Sequence, residues 1–563
     1  MEAPDSAATS QASKHPWLPP LLVTVVVTLA YGLAPTRLPL QGEETCRVLH
    51  GIEMAATGDW LFATNQGVRI IDRPPLQYWT FAVIHRWIHP LDPLTIRLVM
   101  FAITLATSLM VWRYAHWFFS APAAVLAGVS YPTLGHVLDL GRRAETDAQF
   151  TLLCAASLLA WHTGYYRGQN RYLTWIFGGF LAALAALTKG LQAPVAFFGA
   201  TYSFLLLLRD WRWLLHPSNL IGILTFLAAV AVWQIPFYMK AGWDGVWLTW
   251  FDPGASRLGA DWAGLLRHMV TFPLVVLGAT LPWSPLLLGL LRREFWNLES
   301  SGRSAVVFLL CGIGAILVPV WLSPGGHHRY VMPMYPLLVV LCGAVVHQGL
   351  SLAPPGFLRR LWRDFVRALA GVVAGATIVF LGMTACSLFS VHEWVLRLAQ
   401  PWWQIILLVV LILPPTRFLI RHASSSYPRD ALWVTFLAGA LVALLFNGPI
   451  VNSLAQAAVD VRPDIASLYR SIPQGTRLMS IGLAHHRLLY YYPEPIPLVP
   501  RPRSTEDVPE DLDYFVIDAH RGEPTVLPFE WEEIGRLNMD RNRRDEPRDF
   551  VIVGRRLRTE PRP

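Results

Sequence analysis

The sequence predicts a polytopic α-helical membrane protein with a small α/β domain outside the bilayer. Three observations predict it. The 563 residues are 54% hydrophobic and only 15% charged, whereas a soluble chain carries about a quarter charged residues. The apolar residues fall in blocks of roughly 18–22, the length that crosses a hydrocarbon core as a helix. From Val451 onward the composition turns polar, with charges, prolines and short β-like runs.

Hydropathy marks about thirteen spans. They lie near 18–38, 94–112, 117–135, 148–165, 172–188, 191–208, 219–239, 270–291, 304–322, 330–349, 365–388, 402–420 and 431–449. The first has an apolar core at Leu21–Ala34 but no convincing small-x-small site after it, so it is read as a span and not as a signal peptide. Residues up to about His15 are expected to be disordered. Arginines occupy alternate connections: Arg113; Arg167 and Arg171; Arg209 and Arg212; Arg292, Arg293 and Arg303; Arg359, Arg360, Arg363 and Arg367; Arg417, Arg421 and Arg429. The positive-inside rule makes these connections cytoplasmic, together with the N-terminus. Segments 39–93, 136–147, 240–269 and 323–329 then face outward, and so does the C-terminus. The tail reads as an amphipathic helix over 457–472 with strands around Arg477–Ile481, Tyr514–Ile517 and Phe550–Val553. The domains are thus 1–450 in the membrane and 451–563 outside it.

The net charge of +8 is mostly topological, and no basic run with interleaved aromatics marks a nucleic-acid surface. Cys46, Cys154, Cys311, Cys342 and Cys386 form no CxxC and read as small apolar residues. There is no Walker loop, dinucleotide fingerprint or His-Glu-x-x-His. Charged groups gather at the outer face and not at mid-span, which argues against a transporter.

The outer loops hold the candidate chemistry. The first, 39–93, reads as two interfacial helices. One runs from Glu43 to Ala56 and stops at Thr57-Gly58-Asp59; the other starts at Pro74-Pro75 and runs over Leu76–Ile88. It brings Glu43, Glu44, Arg47, Asp72 and Arg73 together with Tyr78, Trp79 and Trp87. A loop that merely anchors the chain at the lipid surface needs no adjacent carboxylates and no Asp-Arg-Pro-Pro joint. In the second, Arg142, Arg143, Glu145 and Asp147 head the fourth span, as an ion pair or as a second working carboxylate. Lys189, in Thr188-Lys189-Gly190, either snorkels or binds a lipid phosphate. In Pro324–Tyr330, the doublet His327-His328 is a weak metal signal, since neighbours on one element point apart. Arg329 with Tyr330 is better suited to an anion.

These residues resemble a family. Glu43-Glu44-x-x-Arg47, Gly58-Asp59-Trp60, Asn65-x-Gly67 and Asp72-Arg73-Pro74-Pro75-Leu76-x-Tyr78-Trp79 resemble the first periplasmic loop of bacterial GT-C glycosyltransferases. That family includes relatives of the protein O-mannosyltransferases and of the undecaprenyl-phosphate aminoarabinose transferase that modifies lipid A. The resemblance continues through Asp147, Leu187–Gly190, Leu281-Pro282-Trp283-Ser284 and Tyr330-x-x-Pro333, covering about residues 40–350. The chain departs from the family pattern at four positions. Glu43 stands for the usual Asp, Arg73 for Lys, Ile70 for a common Tyr and Gly326 for a basic residue. Charge type survives the first two changes.

The resemblance implies a GT-C fold of about thirteen helices in the bacterial inner membrane, with a periplasmic α/β C-terminal domain. It implies a polyprenyl-phosphate-linked sugar donor and an acceptor hydroxyl or phosphate, with a lipid A-like glycolipid favoured. Glu43 is then the general base, with Glu44 and Asp147 as further catalytic carboxylates. Arg73, Lys189, Arg329 and Tyr330 bind the donor phosphate. Arg47, Asp72, Tyr78 and Trp79 position substrate. A single displacement inverts the anomeric carbon. No cofactor is required, His268 and His327 being the side chains left for a divalent metal, and the protein is expected to be a monomer. The rival readings are a protein O-mannosyltransferase-like enzyme, a lipid-linked sugar transporter and a non-catalytic scaffold.

Overall fold

The computed structural model describes residues 15–252, 262–352, 354, 356–389, 392–425, 427–458, 460–520, 526–539 and 549–557. The tail before His15, expected to be disordered, and part of the outward segment 240–269 lie outside the described residues.

From the amino end, α1 (Leu18–Val27) is followed by α2 (Glu44–Thr57), a hairpin of β1 (Ala63–Asn65) and β2 (Val68–Ile70), and α3 (Leu76–Trp87). Next come α4 (Pro93–Phe118), α5 (Ala121–Ser130), α6 (Gly135–Leu140), α7 (Thr146–Tyr166), α8 (Arg171–Lys189), α9 (Gln192–Leu207), α10 (Trp211–Leu214) and α11 (Pro217–Trp250). They are followed by α12 (Trp262–Ala279), α13 (Ser300–Trp321), α14 (Tyr335–Ser351), α15 (Phe357–Cys386), α16 (Glu393–Leu398), α17 (Trp402–His422), α18 (Pro428–Leu445) and α19 (Val451–Ala457). The chain closes with α20 (Arg462–Ser471), β3 (Leu478–Ile481), α21 (His486–Tyr491), β4 (Leu498–Val499), β5 (Tyr514–His520), β6 (Trp531–Asn538) and β7 (Asp549–Arg556).

These elements form two compact units. One comprises Met1–Pro35, Arg97–Arg142 and Thr146–Val451; the other comprises Thr36–Ile96, Arg143–Glu145 and Asn452–Pro563.

Among the described residues of the first unit, the regular elements are all helical. Among the described residues, eight helices are long and apolar enough to cross a membrane, or nine if Gly264–Ala279 and Ser284–Leu291, bent by 115°, form one span. The hydropathy runs that fall short have local reasons. Helix α5 has ten residues and α9 sixteen, α1 passes into a π turn at Thr28–Gly32, and α7 carries Asp147, Gln149 and His162 among its apolar residues. Prolines in the first turns of α1, α5, α11 and α18 start those helices, because proline has no N–H to lose there. Small residues let backbones touch. A side chain at Gly179 of α8 would collide with the Gly222 carbonyl of α11, and one at Gly343 of α14 would lie 2.7 Å from the Ala123 carbonyl of α5. Lipid-embedded helices associate through such contacts, since lipid provides no hydrophobic drive between them. The stretch containing α14, His328–Ser351, is almost wholly buried.

The second unit joins the first loop and the C-terminal sheet. Its five strands run in the order β4-β3-β5-β7-β6. Strand β3 pairs in parallel with β4 and β5, while β7 is antiparallel to β5 and β6. Alternation assigns the two faces. Leu478, Val516, Val551 and Val553 pack under α20 and α21 with Ile465, Leu468 and Leu488. Met479, Ile481, Phe515 and Ile517 pack on the other face with Leu512 and Phe529. One edge, β4, has only two residues. The other, β6, is bulged between Glu533 and Gly535 and carries the ion pairs Glu532–Arg555 and Glu533–Arg536. Helices α2 and α3 close over the hairpin around Met54, Ala63, Tyr78 and Ala82.

Candidate functional site

Helix α2 is the centre of the second unit's chemistry. Gly58, at φ 72°, ends it in the left-handed conformation, the usual glycine stop. At its start the two acids part company. Glu44 is fully buried, and its two carboxylate oxygens accept the Gln41 N–H at 2.7 Å and the Ala144 N–H at 2.9 Å. Glu43, one residue earlier, keeps a side chain 51% exposed.

Arg47, one turn into α2, is 3% exposed. Its guanidinium donates to Tyr78 Oη at 2.6 Å and to Glu43 Oε2 at 3.3 Å, and lies 3.5 Å from Asp72 Oδ2. Asp72 also meets Arg73 Nε at 3.4 Å. Burial works against the Arg47 charge, but Tyr78, Asp72, Cys46 and Glu43 outweigh it and hold the proton more firmly than usual. Burial likewise raises the Tyr78 phenol well above its ordinary range, against the pull of Arg47, so it stays neutral. The structure thus brings Glu43, Arg47, Asp72, Arg73 and Tyr78 together. Trp79 points elsewhere, its indole N–H donating to the Trp60 carbonyl at 2.7 Å.

On the next turn of α2, His50 is 1% exposed. Its Nε2 lies 3.7 Å from Cys46 Sγ, and its Nδ1 has no partner among the described residues. Burial, reinforced by Arg47, lowers its pKa to about 4, so the ring is neutral at pH 7.

In the first unit, Asp147 stands in the first turn of α7 and Lys189 is the last residue of α8. They form a buried ion pair. The two helix ends favour this arrangement, since an acid suits the N-terminus and a cation the C-terminus. Gly190, at φ 99°, turns the chain immediately after the lysine. Lys189 Nζ lies 4.8 Å above the Tyr330 ring and Arg329 lies 5.9 Å from the same ring. Gln192 fixes Tyr330 by donating to its carbonyl at 2.6 Å. Of the two histidines considered for a metal, His327 packs on Tyr330 and His268 on Phe272. Among the described residues no group of three His, Cys, Asp or Glu side chains is placed to hold a metal ion.

Composition and spacing do not single out Thr45, Glu53, Gln66 and His486, which bond to one another or to the sheet within the second unit. Two signals were there to find. Gln66 is the middle residue of the Asn65-x-Gly67 motif, and His485-His486 repeats the doublet noticed at His327-His328.

With this geometry in hand, known proteins give a consistent picture. Residues 72–235 match the family model described as dolichyl-phosphate-mannose-protein mannosyltransferase. An undecaprenyl phosphate-α-4-amino-4-deoxy-L-arabinose arabinosyl transferase from Pseudomonas aeruginosa is 28% identical over 312 residues, 54% of this chain and 55% of that one. Its counterpart from Edwardsiella ictaluri is 26% identical over 375 residues, 64% of this chain and 65% of that one. The match to the Pseudomonas relative thus spans about half of that protein's length. Among solved structures, ArnT from Cupriavidus metallidurans bound to undecaprenyl phosphate superposes with a TM-score of 0.68 at 16% identity, covering 96% of this chain and 98% of that one. The fold is that of ArnT. The apo form of the same protein gives 0.66 at 17% identity, with coverage of 97% and 98%. In sequence and fold, the chain resembles a GT-C glycosyltransferase of the aminoarabinose-transferase kind.

Proposed function

We infer that the protein is a glycosyltransferase that moves a sugar from a polyprenyl-phosphate donor to an acceptor on the outer side of a bacterial inner membrane. The observation that carries this reading is the cluster around Arg47. A buried cation there collects Glu43, Asp72 and Tyr78 beside the Arg73-Pro74-Pro75 joint, in a chain with the fold of a protein crystallised with undecaprenyl phosphate. The amino-arabinosyl names of the relatives support aminoarabinose as the first sugar to test and a lipid A-like glycolipid as the acceptor. About thirteen spans, with the N-terminus cytoplasmic and the α/β tail periplasmic, complete the proposal, on the arginine asymmetry of the connections.

Of the two adjacent acids, Glu43 is the base. It is accessible, whereas Glu44 is buried under two backbone amides. Glu43 takes the proton of the acceptor O–H, whether a hydroxyl or a phosphate, as that oxygen bonds to the anomeric carbon. The bond from that carbon to the phosphate oxygen breaks, the configuration inverts, and polyprenyl phosphate leaves. Arg47 holds Glu43 in place. Arg73 is the donor-phosphate cation on this unit, able to grip two oxygens with its planar fork. Lys189, Arg329 and Tyr330 are the corresponding anion-binding group of the helical unit, with Asp147 orienting the lysine.

Purified protein given undecaprenyl-phosphate aminoarabinose and lipid A tests the reading, with mass spectrometry of the product. Gain of one aminoarabinose per modified phosphate is expected. The match of residues 72–235 to the mannosyltransferase model favours one further reading, transfer of a sugar to a protein hydroxyl. Glycoproteins and lipids of a deletion strain, compared with the parent, separate the two. No difference in either fraction would sink both.

A further inference from the structure

The stretch just after β3 touches α2 and the β1–β2 hairpin at once. At the hairpin tip, Gln66 and Gly67 adopt φ of 50° and 78°. Left-handed backbone is costly for a residue with a side chain, so this Gln66 conformation needs support. Glu53 of α2 supplies it. One carboxylate oxygen accepts the Gln66 N–H at 2.6 Å; the other accepts the Thr64 hydroxyl at 2.6 Å and the Gly67 N–H at 3.3 Å. The Gln66 side chain is thereby aimed into the C-terminal sheet. Its amide nitrogen donates to Ser480 Oγ and to the Ile496 carbonyl, both at 2.8 Å, and its oxygen accepts the Ala484 N–H at 2.9 Å. Two residues beyond Ala484, His486 Nδ1 lies 2.6 Å from Thr45 Oγ1 on the first turn of α2.

Helix α2 is thus held on two sides. Thr45 and Arg47 are two residues apart, about 200° around a helix. Helix α21, which packs on the sheet, holds the Thr45 side through His486, and Arg47 meets Tyr78 and Asp72 on the other. We propose that Gln66 and His486 are positioning residues for sugar transfer: through them the C-terminal sheet sets the rotation of α2 that presents Glu43 and Arg47. This gives the C-terminal sheet a task in the reaction, and its kinetic part rests on the transferase reading above.

The test uses full-length protein in detergent: wild type, Gln66→Ala, His486→Leu and His486→Asn. Asparagine keeps a hydrogen-bonding atom near the place of Nδ1, and leucine removes it. The measurements are kcat and KM with a polyprenyl-phosphate sugar, melting temperature, and backbone hydrogen exchange over residues 44–57. Misplacing a reacting group by about 1 Å can cost up to ~100-fold in rate. Gln66→Ala and His486→Leu are therefore expected to lower kcat by about 10- to 100-fold with a smaller change in KM, and to speed exchange in α2. His486→Asn is expected to restore both. If the variants only melt earlier, with wild-type kcat per folded molecule, the positioning role is overturned. Should Gln66→Ala fail to fold, the His486→Leu and His486→Asn pair carries the comparison. An inactive wild type would defeat the transferase reading instead. Exchange over α2 then decides alone, faster exchange supporting the pin and unchanged exchange in both variants overturning it.

Discussion

Glu43 and Glu44 show how one backbone step separates two tasks. Both are acids at the head of α2, yet one faces outward beside Arg47 and the other is walled in under the Gln41 and Ala144 amides. Glu43→Gln is expected to lower turnover by about 10²- to 10⁴-fold, the usual worth of a general base, with donor affinity and melting temperature close to wild type. Glu44→Gln is expected to act chiefly on stability, because an amide presents only one good acceptor to two backbone donors. If Glu44→Gln lost turnover at an unchanged melting temperature while Glu43→Gln kept it, the two roles would be exchanged. At Arg73, replacement by lysine keeps the charge and loses the planar fork; partial activity is expected, as the resembling family carries lysine there. Arg73→Ala is expected to lose polyprenyl-phosphate binding in a detergent assay. Wild-type affinity with a lowered melting temperature would reduce Arg73 to a partner of Asp72.

Pairs of elements carry the next set of consequences. Helices α2 and α3 meet at Gly51, where an added Cβ would lie 2.6 Å from Phe81 Cβ, 3.1 Å from the Ala82 nitrogen and 3.2 Å from the Tyr78 carbonyl. Two of these atoms are backbone, so the helices must separate to admit a methyl group. Gly51→Ala is expected to cost about 1–3 kcal/mol, as overpacking does, and to loosen the Arg47–Tyr78 bond. A melting temperature unchanged by Gly51→Ala would show that the contact yields freely. For α7 and α8, Lys189→Met strands a buried carboxylate at Asp147, a change that costs about 3–5 kcal/mol. Adding Asp147→Asn is expected to recover most of that loss, without restoring any function the pair serves; failure to recover would mean the two residues are not chiefly each other's partners. The helices of the first loop were legible in the sequence, because glycine and the proline pair punctuate them. Glu43 to Ala56 was expected and Glu44–Thr57 is observed. The hairpin between them was not, because three-residue strands are too short to show a period. Strands β4 and β6 were missed for related reasons: β4 has two residues, and in β6 Glu532, Glu533 and Arg536 break any apolar alternation.

At the scale of the molecule, the sequence made the membrane character plain, since long apolar blocks leave little choice. It did not show that residues 36–96 share a compact unit with the C-terminal sheet. The segments meet at single polar contacts, among them Gln66 to Ser480 and Thr45 to His486, and no composition or periodicity announces a contact between segments so far apart. The same unit sets a pH dependence. Burial lowers His50 to about 4 and His486 to about 2, from an ordinary 6.5. Below pH 6.5 the unfolded chain therefore binds protons that the folded unit refuses, and stability falls as the pH drops. The melting temperature is expected to be level above pH 7 and to decline from about pH 6.5 toward 4, with a shallower decline in His50→Gln. A flat profile across that window would show that these rings take up protons without unfolding. One more consequence lies at the margins of the sheet. A β-edge is an open row of donors and acceptors that any passing strand can extend, in the manner of a template. Here one margin is two residues long, and the other is bent by a bulge and fenced with Glu532, Glu533 and Arg536. Copies crowded in the plane of a membrane can thus collide repeatedly without seeding a shared sheet.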